Sequence, residues 1–248
     1  MDTEMDNSLL GVFRGFIPTS MVDWDGKIVS TLYLPYCNMR CPFCHNKDLV
    51  LSPHNLPPVP WEEITGYLKE HLDFIDGVCI TGGEPTLHHP HLVPRLRELK
   101  KIGLGIKLDT NGTNPDTLKE WAEEKLIDYV AMDVKAPLDD RYYRACGKEI
   151  NLEAIKKSIR FLLTGVVGYE FRTTVVPGLH TEKDIVEIAE AIKGAERYVL
   201  QQFVPKNSMD PAFEKKEPYP PERLMQMADI IERKGLVSRV KIRGLKTA

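Results

Sequence analysis

No apolar run in this 248-residue chain comes near the roughly 20 consecutive residues a helix needs to cross a bilayer, so a membrane protein is not expected. Charge of one sign is missing too. The 33 Lys and Arg stand against 36 Asp and Glu, and a net charge of −3 offers no electrostatic footprint for nucleic acid. The acidic start, MDTEMDNSLLG, lacks a basic n-region and an apolar h-region, so no signal peptide is expected. Cysteines are few and odd in number: five, with three inside eight positions. Neighbours that close make a poor disulfide framework for a chain of this length. Such clustering reads as metal binding or catalysis in a reducing compartment, the cytoplasm.

What remains is an ordinary globular composition, 42% hydrophobic and 28% charged. Short β-branched or aromatic runs recur: KIVSTLYLP (27–35), GVCIT (77–81), GIKLDT (105–110), DYVAMDV (128–134), YEFRTTVVP (169–177) and RYVLQQFVP (197–205). Helical patterns lie between them. In TEKDIVEIAEAIKG, Ile185, Ile188, Ala189 and Ile192 fall on one helix face, Thr181 with Asp184 offers a cap, and Gly194 a stop. Strands separated by helices imply parallel βαβ units. The fold class is therefore α/β. Six units, with a seventh ending in VSRVKIRGL, suggest a (β/α) barrel or an open, partial form of one. Residues 1–26 read as an N-terminal lead-in, and no linker splits residues 27–248, which read as a single domain. Two loops are long, 51–60 and 205–222, and residues 205–221 are a candidate partner-facing or lid segment.

In parallel barrels the chemistry sits at the C-terminal strand ends. The most reactive residues fall there. LPYCNMRCPFCHN (34–46), with Cys37, Cys41 and Cys44, follows the first run; TGGEPTL (81–87) the second; DTNG (109–112) the third. Asp133 and Lys135 end the fourth, Arg172 lies in the fifth, and Gln202 towards the end of the sixth. A structural zinc site would want a fourth Cys or His, and His45, adjacent to Cys44, cannot easily turn onto the same ion. Cys79 and Cys146 read as a buried strand residue and an ordinary loop thiol. A [4Fe–4S] cube held by three thiolates keeps one iron open for a small molecule. Plainer readings exist for the other residues. Gly82-Gly83 can make a tight turn before a helix-start Glu84, Asn111-Gly112 is a turn dipeptide, and Lys135 and Arg172 can be solvated or paired with nearby acids.

CNMRCPFC, with Phe43 before its third cysteine, followed by TGGEP after the next run, resembles the radical S-adenosylmethionine (radical SAM) superfamily. The resemblance implies a partial (β/α)6-type TIM barrel. It also implies one [4Fe–4S] cluster on Cys37, Cys41 and Cys44, with S-adenosylmethionine chelating the open iron. Phe43, Gly82, Gly83 and Glu84 would contact that cofactor, the glycines by letting backbone approach closely. CHN after the cluster loop, DTNG and M-D-V-K are similar to the glycyl-radical-enzyme activases. That likeness implies a monovalent-cation site on Asp109, Thr110, Asp133 and the Ala131 carbonyl, and Lys135 and Arg172 on the cofactor carboxylate. The lead-in S-x-V-D-x-x-G-K (20–27) resembles activating proteins of anaerobic (class III) ribonucleoside-triphosphate reductase. The implied activity is reductive cleavage of S-adenosylmethionine to a 5′-deoxyadenosyl radical that makes a glycyl radical on that reductase, with a low-potential flavodoxin- or ferredoxin-type electron donor. The alternatives are activation of another glycyl radical enzyme, of the pyruvate formate-lyase type, or action on a small nucleotide-like molecule. LSPHNLPPVPWEEI holds no cysteine for a second cluster, and His88, His89 and His91 are given no metal role.

Overall fold

Residues 5–245 are described by the computed structural model. Eight strands form one sheet in chain order: β1 (Gly15–Ser20), β2 (Val29–Leu34), β3 (Gly77–Gly82), β4 (Gly105–Thr110), β5 (Tyr129–Asp133), β6 (Gly168–Val175), β7 (Tyr198–Gln202) and β8 (Val240–Arg243). β1 and β2 pair antiparallel, and every later neighbour pairs parallel. β1 and β8 are the two edges, so the barrel is partial and open. It curls far enough for Asp25, between β1 and β2, to form ion pairs with Arg197, Lys241 and Arg243 at β7 and β8. The expected seventh unit is present as β8. β1 was not foreseen: GFIPTS carries a proline and an exposed middle, which hide the strand pattern.

The helices are α1 (Lys47–Leu51), α2 (Trp61–Glu70), α3 (Val93–Lys101), α4 (Pro115–Glu123), α5 (Asp140–Cys146), α6 (Leu152–Leu162), α7 (Glu182–Ala191), α8 (Pro211–Glu214) and α9 (Pro221–Arg233). α7 opens on the complete capping box that Thr181 and Asp184 promise. Gly147 stops α5 in the left-handed region, at φ 69°. Among the described residues no helix is long and apolar enough to cross a membrane.

Period two decides what each strand shows to each side. Ile106, Leu108, Val130, Met132, Phe171 and Leu200 are buried in one continuous apolar core with Leu96, Leu118, Ile159 and Ile188 of the helices. Lys107, Asp109, Asp133, Glu170 and Arg172 occupy the alternate positions, and they hydrogen-bond among themselves or to β8. The barrel interior is thus polar and charged. Its upper end is the candidate site.

Candidate active site

The cysteine loop is strapped to the end of β3. Leaving β2, Tyr36 takes a left-handed conformation, φ 62°. Backbone bonds from Gly83 N to Leu34 O (2.8 Å) and from Glu84 N to Tyr36 O (2.7 Å) continue the β2–β3 ladder past the strands. This is why both glycines are needed. A Cβ on Gly83 would lie 1.7 Å from Tyr36 O, and one on Gly82 2.3 Å from Leu34 O. The sequence reading assigned the pair to close approach by a cofactor. Their first duty is to the chain itself, since they let the cysteine loop lie on β3. Asn46 Nδ2 adds a bond to Gly82 O at 2.7 Å, and Arg40 Nη1 donates to Cys37 O at 2.6 Å.

Cys37, Cys41 and Cys44 are free thiols on the wall of one cavity of about 300 Å³, whose lining also includes Phe43, Gly82, Gly83, Asp109, Thr110, Asp133, Lys135 and Arg172. Burial pushes the Cys37 thiol up to about 12 and raises Cys41 and Cys44 as well. Ligation therefore has to displace protons. Among the described residues no three His, Cys, Asp or Glu side chains converge on a single ion. Three thiols on one cavity wall are the soft donors that an iron–sulfur cluster takes. The donor set fits the implied cluster. Cys79, in β3, is buried as expected. Cys146 is not a loop thiol: it ends α5, is fully buried, and its Sγ donates to Lys148 O.

Glu84 departs from its expected role. It is fully buried and absent from the cavity lining. Its Oε1 accepts from Thr86 N (3.1 Å), Thr86 Oγ1 (2.6 Å) and Thr110 Oγ1 (2.7 Å), and its Oε2 from Asn111 N (2.7 Å). A carboxylate so used pins the DTNG segment to the start of the Pro85–His88 turn. Thr110 belongs to the same scaffold, and its hydroxyl also accepts from Gly112 N. Asn111 was read only as a turn residue. Its Nδ2 donates to Asn38 Oδ1 at 2.8 Å and lies 3.7 Å from Cys37 Sγ.

The five ionised groups form a single chain. Lys107 Nζ donates to Asp109 Oδ1 (2.6 Å), and Arg172 Nη1 to Asp109 Oδ2 (2.9 Å). Arg172 Nε donates to Asp133 Oδ1 (2.9 Å), and Lys135 Nζ to Asp133 Oδ2 (2.8 Å). Burial works against charge at all five, and the alternating neighbours overcome it. Asp109 and Asp133 are held below the usual carboxylate range, while Lys107, Lys135 and Arg172 are raised above theirs. The two aspartates expected to ligate a monovalent cation are thus paired with protein cations. Lys135 and Arg172 line the cavity, as a carboxylate contact requires, and Arg172 keeps Nη2 without a protein partner among the described residues.

Sequence reasoning missed the support beneath them. His180, 1% exposed, donates from Nε2 to Lys135 O (2.7 Å) and accepts at Nδ1 from Val176 N (2.9 Å). Nothing in GLHT signals this. Gln202 lines the cavity, donates to Tyr219 O at 3.1 Å, and has a buried Oε1 with no partner. The segment after β7 returns to the cluster loop: Asp210 N donates to Pro42 O (2.9 Å), and Asn207 Nδ2 to His45 O (3.0 Å).

Comparison with known proteins agrees with this arrangement. Residues 31–192 match the family described as the Radical SAM superfamily. The chain is 37% identical to a Methanocaldococcus jannaschii protein whose assigned role is glycyl-radical enzyme activating enzyme, over 93% of this chain and 95% of that one. It is 26% identical to the pyruvate formate-lyase-activating enzyme of Staphylococcus aureus, over 70% of this chain and 72% of that enzyme. Among solved structures, a domain of a pyruvate-formate lyase-activating enzyme from Bacteroides vulgatus matches 68% of this chain and 99% of its own, at 24% identity and a TM-score of 0.56, a likeness of fold.

Proposed function

Since the chain belongs to the radical SAM superfamily and to its glycyl-radical-enzyme activating group, we propose that it is a single-cluster cytoplasmic activase acting on anaerobic ribonucleoside-triphosphate reductase. One observation carries the reading. Three free thiols share one cavity at the C-terminal ends of β2 to β7 with Lys135 and Arg172, the cations that a bound carboxylate needs.

Cys37, Cys41 and Cys44 would hold three irons of a [4Fe–4S] cluster, with Phe43 in the same wall. Lys135 and Arg172 offer donors for the carboxylate of S-adenosylmethionine, while Gly82 and Gly83 keep backbone at the cavity surface. Glu84 acts one layer out, fixing the loops, and Asn111 in the cavity wall reaches towards Cys37. When bound and reduced, a cluster held there would supply the one electron for reductive cleavage of S-adenosylmethionine, yielding methionine and a 5′-deoxyadenosyl radical for hydrogen abstraction from a backbone glycine. The electron would come from a low-potential flavodoxin- or ferredoxin-type donor. The open edge between β1 and β8 suits a protein substrate.

A pyruvate formate-lyase type partner is the second reading, and the Staphylococcus aureus relative favours it. The test reconstitutes the protein anaerobically, reduces it, adds S-adenosylmethionine, and offers each candidate partner in turn. Expected are 5′-deoxyadenosine and a glycyl radical by EPR on the reductase. A radical only on the lyase would move the assignment to the second reading. Turnover with neither would point to a small nucleotide-like substrate.

A further inference from the structure

Lys107 has no part in the site as the sequence presents it. It lies in β4 two residues before Asp109, which puts both on the inner face of the strand. Its side chain is 2% exposed and is absent from the cavity lining, so it sits beneath Asp109 rather than beside a ligand. Its partners are Asp109 Oδ1 at 2.6 Å and, more distantly, Cys79 Sγ at 3.9 Å.

Two counts matter. Each of the four oxygens of Asp109 and Asp133 accepts from one cationic nitrogen, and three cations (Lys107, Arg172, Lys135) stand against two carboxylates. An alkali ion entering between the aspartates would either share their oxygens with an ammonium or guanidinium, cation against cation, or displace one and leave it buried and unpaired; both are unfavourable. It would also raise a surplus of one positive charge to two. The surplus of one instead suits a carboxylate ligand. Thr110 has little to offer an ion either: its hydroxyl donates to Glu84 and already accepts from Gly112 N, which fixes its rotamer and occupies one of its two lone pairs. The residues therefore do not fit the monovalent cation that the family resemblance implies.

We propose that Lys107 is a positioning residue that replaces that ion: its ammonium, with Arg172, neutralises the two aspartates, so the site takes no alkali cation and keeps one positive charge for the carboxylate of its ligand. This rests on the reading above that the cavity holds S-adenosylmethionine. Its first test does not.

The cluster-free protein, Lys107→Met and Lys107→Arg are melted in lithium, sodium, potassium, caesium and tetramethylammonium chlorides at fixed ionic strength. The wild type and Lys107→Arg should melt at the same temperature in every salt. Lys107→Met, with Asp109 Oδ1 released and the charges balanced, should gain a few degrees in one alkali ion of matching size. Stabilisation of the wild type by a particular alkali ion would overturn the proposal, as would a Lys107→Met protein indifferent to all of them. Should Lys107→Met not fold, Lys107→Gln takes its place, and the wild-type series still decides. A second readout is S-adenosylmethionine affinity after cluster reconstitution. It should be flat across salts in the wild type. In Lys107→Met it should be weakened about tenfold in tetramethylammonium, the scale of one charge-assisted hydrogen bond, and restored by the alkali ion. Binding that depends on an alkali ion in the wild type would sink the Lys107 assignment alone. No binding in any salt would sink the reading of the cavity.

Discussion

At the scale of single residues, burial decides which groups carry charge, and His88 gives the clearest consequence. It is fully buried, its Nδ1 accepts from Gly11 N (3.0 Å), and its Nε2 donates to Pro35 O (2.7 Å), just before the cysteine loop. Both bonds need the neutral ring. Burial accordingly lowers its pKa to about 4 from the ordinary 6.5. The unfolded chain takes up this proton near pH 6.5 and the folded one only near 4. Stability is therefore fully present above 6.5 and falls as pH drops towards 4, by about 3 kcal/mol from this residue. Urea melts at pH 7 and pH 4.5 should show His88→Gln losing less over that interval than the wild type; equal losses would count against the assignment. The ligand prediction is sharper. Cys41→Ala should fail to retain a full cluster and make no 5′-deoxyadenosine, measured by iron content and chromatography after anaerobic reconstitution. The three cysteines were legible because their spacing carries their chemistry. Lys107, His180 and Glu84 were not, because partners 2, 45 and 26 positions away along the chain define what they do.

At the scale of elements, the joint between β2 and β3 sets the site. The ladder runs on through Gly83 and Glu84, so the cysteine loop inherits the rigidity of two central strands. Gly83→Ala forces its Cβ into Tyr36 O and should cost about 2–3 kcal/mol, with cluster incorporation falling in parallel. A variant that melts and loads iron like the wild type would show the joint to be soft. Most strands and the α7 cap could be read from periodicity and capping residues. β1 could not, since half of its positions face solvent and only pairing with β2 makes it a strand. The roles of the DTNG segment were half legible: the turn at Gly112 is real, and the hold that Glu84 keeps on it through Thr110 and Asn111 is not visible in the motif.

Across the whole molecule, the open sheet is tied by charge where strands do not meet. Asp25 Oδ2 receives Lys241 Nζ (2.8 Å), Arg243 Nη2 (3.2 Å) and Arg197 Nη1 (3.3 Å), and Arg243 also holds the buried Glu170. Asp25→Asn should lower stability by about 1–2 kcal/mol, more at low ionic strength than at high. A salt-independent loss would argue against an electrostatic tie. Composition and alternation implied the barrel, but not its charged interior, because buried lysine and arginine are foreign to a strand pattern read for hydrophobicity. The two ion chains in the lumen, one below and one at the mouth, leave the apolar core outside the barrel, between strands and helices.

A radical made in this cavity would, on the proposed function, take its hydrogen from a glycine of a partner protein. Anaerobic ribonucleoside-triphosphate reductase labelled with deuterium at the α-carbon of glycine, mixed with the reduced, cluster-loaded protein and S-adenosylmethionine, tests it most directly by mass spectrometry of the 5′-deoxyadenosine. One deuterium per product molecule is predicted. Abundant 5′-deoxyadenosine without deuterium, from labelled reductase and labelled pyruvate formate-lyase alike, would contradict it.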